Sequence, residues 1–423
     1  MEVFDTLTTY AKYKKSRESW LVEIPEHWEE KKFKHIFSEK KKTTNIDLPC
    51  GSISFGKVVY KDDEKIPEST KRSYQVLSKG DFLINPLNLN YDLISLRIAL
   101  SDKNVVVSSG YIILNNNLKL NKDYYKWLLH IFDVVYMKTL GSGVRQTLSF
   151  THIANCELVF PPLEEQNRIA QFLETKTAKI EQAIAIKQQQ IELLKERKQI
   201  IIHKAVTKGL NENVKLKDSG VEWIGEIPEH WEVSKLGLML TPYSIKNYPN
   251  ETLLSITREQ GVIERDMENL DSNHNFIPED LSGYKLLKKG DFGMNKMKAW
   301  QGSYGVSKFT GIVSPAYFTF SLVDTISPDF FHLAIRSQIY VPFFGQASDG
   351  VRIGQWDLSK ERMKNIPFVI PSLKEQDEIL NYIDSTTNKT QIAISLKEQE
   401  IEKLKEYKIS LVNSVVTGKV RVV

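Results

Sequence analysis

Two stretches of the chain carry the same hydrophobic repeat. Positions 173, 177, 180, 184, 187, 191, 194, 198, 201 and 205 advance by alternating steps of four and three, and read Leu, Thr, Ile, Ile, Lys, Ile, Leu, Lys, Ile and Ala. Moving 210 residues on gives Ile383, Thr387, Thr390, Ile394, Lys397, Ile401, Leu404, Lys408, Leu411 and Val415. Only Ile180 against Thr390 changes residue class. A 3.5-residue period held over several heptads predicts a coiled coil. Neither Gly nor Pro interrupts 163–208, Pro161, Pro162 and Pro371 stand before the starts, and Gly209 and Gly418 lie at the ends. Helices of about 43 residues, about 64 Å long, exceed the core of a small domain. They are expected to pair with each other, antiparallel and with pseudo-twofold symmetry. The candidate pairing residues are Leu173, Ile180, Ile184, Ile191, Leu194 and Ile201 with Ile383, Ile394, Ile401, Leu404, Leu411 and Val415. Lys187, Lys198, Lys397 and Lys408 interrupt the seam, where their stems can pack while the ammonium groups reach water or a carboxylate.

The remainder of each half repeats too, in slipping register. Ile24-Pro25-Glu26-His27-Trp28-Glu29 returns 203 residues later, and Lys79-Gly80-Asp81-Phe82 returns after 210. Gly143-Val144-Arg145 returns as Gly350-Val351-Arg352 after 207, and Pro161-Pro162-Leu163-Glu164-Glu165-Gln166 resembles Pro371-Ser372-Leu373-Lys374-Glu375-Gln376 after 210. From there 171–210 and 381–420 align without a gap, identical at 14 of 40 positions. Loops tolerate length changes that a packed helix does not. The predicted order is a domain over 1–160, a long helix over 161–209, a second domain over 210–370 and a second long helix over 371–423. Both domains read as mixed α/β (α+β). Strands are predicted at Gly51–Tyr60, Phe82–Asn85 and Val105–Leu114, then at Thr252–Thr257, Phe292–Met294 and Ile312–Leu322. Helices are predicted at Asp123–Leu140 and Asp329–Tyr340. Trp28 and Trp231, at equivalent places, are expected to anchor each domain entrance by packing, with His27 and His230 as neighbours.

Composition narrows the function. A length of 423 residues, 41% hydrophobic and 26% charged, suits a globular protein of about two to four domains. No run of eighteen apolar residues occurs and the start is polar, so neither a membrane span nor a secretory signal is expected. Two cysteines, Cys50 and Cys156, are too few for a disulfide framework and suit a reducing cytoplasm. The net charge of +4 permits a polyanionic partner without requiring one. There is no P-loop, no dinucleotide fingerprint, no zinc spacing and no Gly-x-Ser-x-Gly. Asn85-Pro86-Leu87-Asn88 lacks the aromatic residue that an amino-methyltransferase would stack on a flipped base. The expectation is a binding protein with no catalytic residue, no metal and no cofactor of its own.

Basic residues gather in the variable parts. Lys31, Lys32, Lys34, Lys40, Lys41 and Lys42 form one cluster, Lys71 and Arg72 another. Lys296 and Lys298 precede Trp300 and Gln301, while Arg145 with Gln146 and Arg352 with Gln355 occupy the two glycine-containing loops. Arg can grip guanine and Gln adenine in the major groove, and Lys suits phosphates. Sequence alone does not sort base contacts from phosphate contacts, solvated surface or loop caps.

Two variable domains alternating with two near-identical helices resemble the specificity subunit of type I restriction–modification systems. The resemblance rests on Ile24-Pro25-Glu26-His27-Trp28 and its copy, Gly143-Val144-Arg145-Gln146, Pro161 to Gln166 with the helix to Gly209, and Asp218 to Gly225 as a domain entrance. Lys15 to Trp20 departs from that entrance pattern. The resemblance implies target recognition domains that each read one half of an asymmetric bipartite DNA site. It implies helices that space the two readers and dock two modification subunits, which use S-adenosylmethionine to methylate adenine N6. Two restriction subunits, using ATP and Mg²⁺, would complete the assembly in a bacterial or archaeal cytoplasm. A coiled-coil scaffold indifferent to DNA sequence and a stand-alone DNA-modifying enzyme are the alternatives.

Overall fold

A computed structural model describes residues 7–87, 96–137, 148–266, 277–352 and 355–423. By packing, the chain divides into two compact units, Met1–Lys187 with Gln399–Val423, and Gln188–Glu398. The division falls within both long helices, Leu163–Lys208 and Leu373–Val416, so each unit holds the near half of one and the far half of the other.

In the first unit a four-stranded antiparallel sheet runs in the order Ile98–Leu100, Phe82–Ile84, Ile112–Asn116, Phe37–Glu39. The helix Lys122–Val135 contributes Tyr124, Tyr125, Leu128, Leu129 and Phe132 to the core shared with Phe37, Phe82 and Ile98. The second unit repeats the plan with Tyr304–Val306, Phe292–Asn295, Tyr317–Leu322 and Leu240–Tyr243. Its core takes Phe330 and Phe331 from the helix Pro328–Ile335. Each domain closes on its own long helix through a strand pair, Glu29–Lys32 with Glu157–Phe160 and Glu232–Lys235 with Pro367–Ile370.

Several predicted elements are shorter than their hydrophobic runs. Gly51–Tyr60 is a hairpin, Gly51–Ser54 against Lys57–Tyr60, because Phe55 and Gly56 both adopt positive φ. Val105–Leu114 divides between Val105–Val107 and Ile112–Asn116, which pair in different sheets. Ile312–Leu322 divides likewise between Gly311–Val313 and Tyr317–Leu322, with Pro315 in the gap. The helix from Lys122 ends at Val135, and the predicted end at Leu140 lies outside the described residues. The helix from Pro328 ends at Ile335, and a separate helix, Val341–Gln346, carries Pro342 in its first turn, where proline is tolerated. The glycine loop around Gly350 is itself a hairpin, Ser348–Arg352 against Gln355–Leu358.

Candidate nucleic-acid interface and its helical support

The support begins at one carboxylate in each unit. Glu165, in the first turn of its long helix, accepts from the Trp28 indole N–H at 3.0 Å and the Tyr10 hydroxyl at 3.0 Å, and pairs with His27 at 2.6 Å. Glu375 holds Trp231 at 3.0 Å, His230 at 2.8 Å and the Ser372 hydroxyl at 2.7 Å. Burial opposes the charge on both carboxylates, but these donors outweigh it: Glu165 is held below the usual range and Glu375 at about 2. Both tryptophans are fully buried. The neighbouring glutamines are buried too and cap the domain helices. Gln166 accepts from the Asn121 N–H and donates to the Pro161 carbonyl, and Gln376 does the same with Ser327 and Pro371. The Glu-Gln pair in the repeated motif was visible in the sequence, but its grip on the His-Trp pair was not.

The seam follows the heptad register. All ten predicted positions in each helix are buried or half-buried. In the first unit Lys187 meets Glu400 at 2.5 Å and Glu181 meets Lys408 at 2.6 Å, so one helix advances as the other recedes. In the second unit Ala205 and Val206 share a core with Ile379 and Ile383, whereas residues 192–200 share a surface recess with Gln391, Ile394 and Glu398. The packing is antiparallel in each. The helices end on the tryptophans: Gly209 and Gly418 take positive φ, and a Cβ there would stand 3.1 Å from Trp231 and 2.8 Å from Trp28.

The second domain gathers most of its candidate residues at one place. The strand Phe292–Asn295 leads into 296–303, and the Gln355–Leu358 strand lies beside it, its Leu358 and Trp356 N–H groups donating to the Lys296 and Met297 carbonyls. Trp356 stacks on Trp300 with centroids 5.4 Å apart, and Lys296 pairs with Asp357 at 3.2 Å. Lys298 is exposed and Gln301 half-buried in the same loop. Arg352 and Gln355 are register partners around the hairpin turn. Trp356 is exposed, and its pairing with Trp300 across 56 positions leaves no local signal in the sequence.

The first domain does not gather its lysines in this way. Lys40 pairs with Asp81 at 2.5 Å and bonds Ser78, and Lys71 pairs with Asp63 at 2.8 Å; both are mostly covered, so their charges are engaged inside the domain. Arg72 pairs with Glu68 one helical turn back, Lys42 donates to the Ser109 carbonyl, and Lys41 is exposed. Arg145 and Gln146 lie outside the described residues. The connection that matches 296–303 is 85–97: the Asn85 N–H donates to the Arg97 carbonyl as that of Asn295 does to Ser303. The Arg97 side chain is buried against Asp133, 2.8 Å away. Among the described residues no three His, Cys, Asp or Glu side chains gather as metal ligands, and no helix is long and apolar enough to cross a membrane.

Known proteins are similar to this chain in sequence and in fold. The type I restriction modification DNA specificity domain matches residues 25–195. The type I restriction enzyme MjaVIII specificity subunit of Methanocaldococcus jannaschii is 27% identical over 350 residues, covering 78% of this chain and 74% of that one. A putative type I restriction enzyme specificity subunit, MjaX, from the same organism is 27% identical over 251 residues, covering 55% and 57%. A chain from a structure addressing complex assembly and conformational transition of the type I R-M system has a TM-score of 0.63 at 13% identity, over 93% of this chain and 98% of the other. The HsdS subunit of Thermoanaerobacter tengcongensis has a TM-score of 0.53 at 14% identity, with the same coverage. At those identities the two structures share the fold. The chain thus resembles type I restriction enzyme specificity subunits, over residues 25–195 by the family match and over 78% of its length by the MjaVIII relative.

Proposed function

We propose that residues 1–160 and 210–370 are two target recognition domains, each reading one half of an asymmetric bipartite DNA site. The long helices set the separation of the half-sites and dock two methyltransferase subunits that methylate adenine N6. S-adenosylmethionine belongs to those subunits, and ATP and Mg²⁺ to two restriction subunits that join them. One observation carries this reading. The two domains are held to their helices by the same His-Trp-Glu arrangement, yet the loops beyond the sheets differ in length and chemistry. Equal mounting with unlike loops is what two different half-sites require.

Within the second domain, Arg352 and Gln355 are the proposed base readers, since a two-stranded ribbon fits the major groove and Arg and Gln suit guanine and adenine. Lys298 and Gln301 flank them. Lys296, Trp300 and Trp356 hold the hairpin against its neighbouring loop. In the first domain Arg145 and Gln146 are the proposed readers, with Lys41, Lys42 and Arg72 on phosphates. The test is to map N6-methyladenine across the host genome with and without this gene. One bipartite motif should vanish, and Arg352→Ala should relax one half of it only. Loss of no motif, or equal weakening on all DNA with a shallower salt dependence, would overturn the assignment.

A further inference from the structure

The hairpin Gly51–Ser54/Lys57–Tyr60 turns through two residues, Phe55 and Gly56, with φ of +45° and +72°. Two-residue hairpin turns with positive φ at both centres favour Asn-Gly, Asp-Gly or Gly-Gly, because an L side chain in the left-handed region crowds the following carbonyl. A bulky residue at the first centre is a conformational outlier. Phe55 gains little packing in exchange from the described residues. It is 72% exposed, and among the described residues no aromatic ring or cation contacts it. The matching hairpin of the second domain, Leu254–Thr257/Gly261–Glu264, turns through polar Arg258, Glu259 and Gln260 and gives its positive φ to Gly261. The turn therefore has an unstrained solution in this same fold, and the first domain does not use it.

The tip stands beside Leu96, which leads into the strand Ile98–Leu100. A Cβ on Gly56 would lie 2.9 Å from Leu96 and 3.2 Å from His130. The connection 85–97 is the counterpart of 296–303, the loop that carries Lys298 and Gln301 in the second domain. Lys57 and Lys61 are exposed on the same hairpin, as is Tyr60, which has the Lys103 ammonium 5.6 Å from its ring. An exposed ring flanked by cations suits a stacked, anionic polymer.

We propose that Phe55 is an apolar wedge that enters the base stack of DNA held by the first domain. This rests on the reading of that domain as a DNA reader. Its ring partly unstacks one base step, Lys57 and Lys61 meet the phosphates on either side, and the first half-site is recognised in part by how readily its sequence deforms. The second half-site, without a wedge, is read without that contribution.

The test uses the full chain assembled with its methyltransferase subunits. The probe is a duplex bearing the motif lost from the methylome on gene deletion, with 2-aminopurine walked through both half-sites. Apart from the adenines that the methyltransferase subunits flip, the assembly should raise fluorescence at one step of one half-site. Phe55→Gly should abolish that rise and weaken specific binding about tenfold with an unchanged salt slope, since no charge is removed. Glycine relieves the positive φ, so the variant should unfold no earlier than the parent, which separates the effect from misfolding. Phe55→Trp should retain the rise. An unchanged signal and affinity in Phe55→Gly would overturn the wedge while leaving the half-site reading intact. Loss of methyltransferase subunits from the Phe55→Gly assembly would assign the ring to a protein contact and also overturn it. Absence of any sequence-specific binding by the parent would remove both.

Discussion

Trp28 and Trp231 occupy the same surroundings in the two units, whereas Phe55 and Gln260 do not. Each tryptophan is fully buried, donates to the glutamate that opens a long helix, and receives the glycine that closes the other helix. The hairpin tips share a place in the fold but neither turn length nor chemistry. The tryptophans, which the two halves hold in common, mount each domain on its helix, whereas the hairpin tips are free to diverge. The comparison breaks most decisively at the tryptophans. Trp28→Ala and Trp231→Ala should each cost about 3–5 kcal/mol, from the cavity and the lost indole bond to a charged acceptor. Denaturant unfolding should give similar losses for both. A loss in one and little change in the other would mean that the two mounts are not equivalent.

A second shared feature lies beneath the hairpin turns. Gly56 packs against His130 and Gly261 against His332, and a Cβ at either glycine would sit 3.2 Å from the imidazole. Burial is the main cause that lowers both histidines to about 4, with Lys126 adding to it at His130 and Arg336 at His332. Both rings are neutral at pH 7. Because the folded pKa lies below the unfolded value, the contribution to stability is complete above about pH 6.5 and is lost as pH falls towards 4. The loss is on the order of 3 kcal/mol for each ring. Unfolding measured between pH 7.5 and pH 4.5 should therefore fall, and His130→Gln with His332→Gln should flatten that part of the slope. A parent slope unchanged by the double substitution would remove the histidines as its cause.

The domain entrances allow a sharper comparison, because at one shared positive-φ position the two copies carry different residues. The Ser16 N–H donates to the Val22 carbonyl just as that of Ser219 donates to Gly225. Gly225 adopts φ +68°, the region glycine tolerates, but Val22 adopts φ +58° with a β-branched side chain that is 62% exposed. Val22→Gly should raise stability by about 1 kcal/mol, and Gly225→Val, with open space around its Cβ, should lower it by about 1–2 kcal/mol. Thermal unfolding of the two variants gives the sign directly. Destabilisation by Val22→Gly would show that the exposed isopropyl group has a packing role after all.

The same contrast explains what the sequence made legible. The starts of the long helices were readable to within two residues, because a heptad repeat without Gly or Pro depends only on spacing along one element. The doubling of the chain was readable for the same reason. The second helix, however, ends at Val416 rather than 423, where Gly418 takes positive φ and Arg421–Val422 forms a strand. The strands predicted at Gly51–Tyr60, Val105–Leu114 and Ile312–Leu322 are too long, because an apolar run carries no mark of where the chain turns back or changes sheets. The candidate interface was only partly readable. Lys296, Lys298, Trp300 and Gln301 are sequence neighbours and were found together, but Trp356 reaches them through tertiary pairing. Lys40 and Lys71 looked like surface charge until Asp81 and Asp63, distant or unremarkable in sequence, supplied partners inside the domain.

The smallest expected effect lies in the seam, where the four lysines match in sequence but not in surroundings. In the first unit Lys187 and Lys408 meet Glu400 and Glu181. A shift of 210 residues replaces those carboxylates by Gln190 and Gln391 in the second unit, where Lys198 and Gln391 border the same recess. Half-exposed ion pairs contribute under about 1 kcal/mol and are screened by salt. Glu181→Gln and Glu400→Gln should each lower stability by about 0.5 kcal/mol at low ionic strength and by less in high salt. Gln391→Glu should raise it by a few tenths of a kcal/mol, on the order of one exposed pair, by giving Lys198 the carboxylate that Lys408 has. A double-mutant cycle on Lys408 and Glu181 should show coupling that the cycle on Lys198 and Gln391 lacks. Equal coupling in the two cycles would mean that the seam is electrostatically the same at both ends, with the charge difference between its halves without consequence for folding.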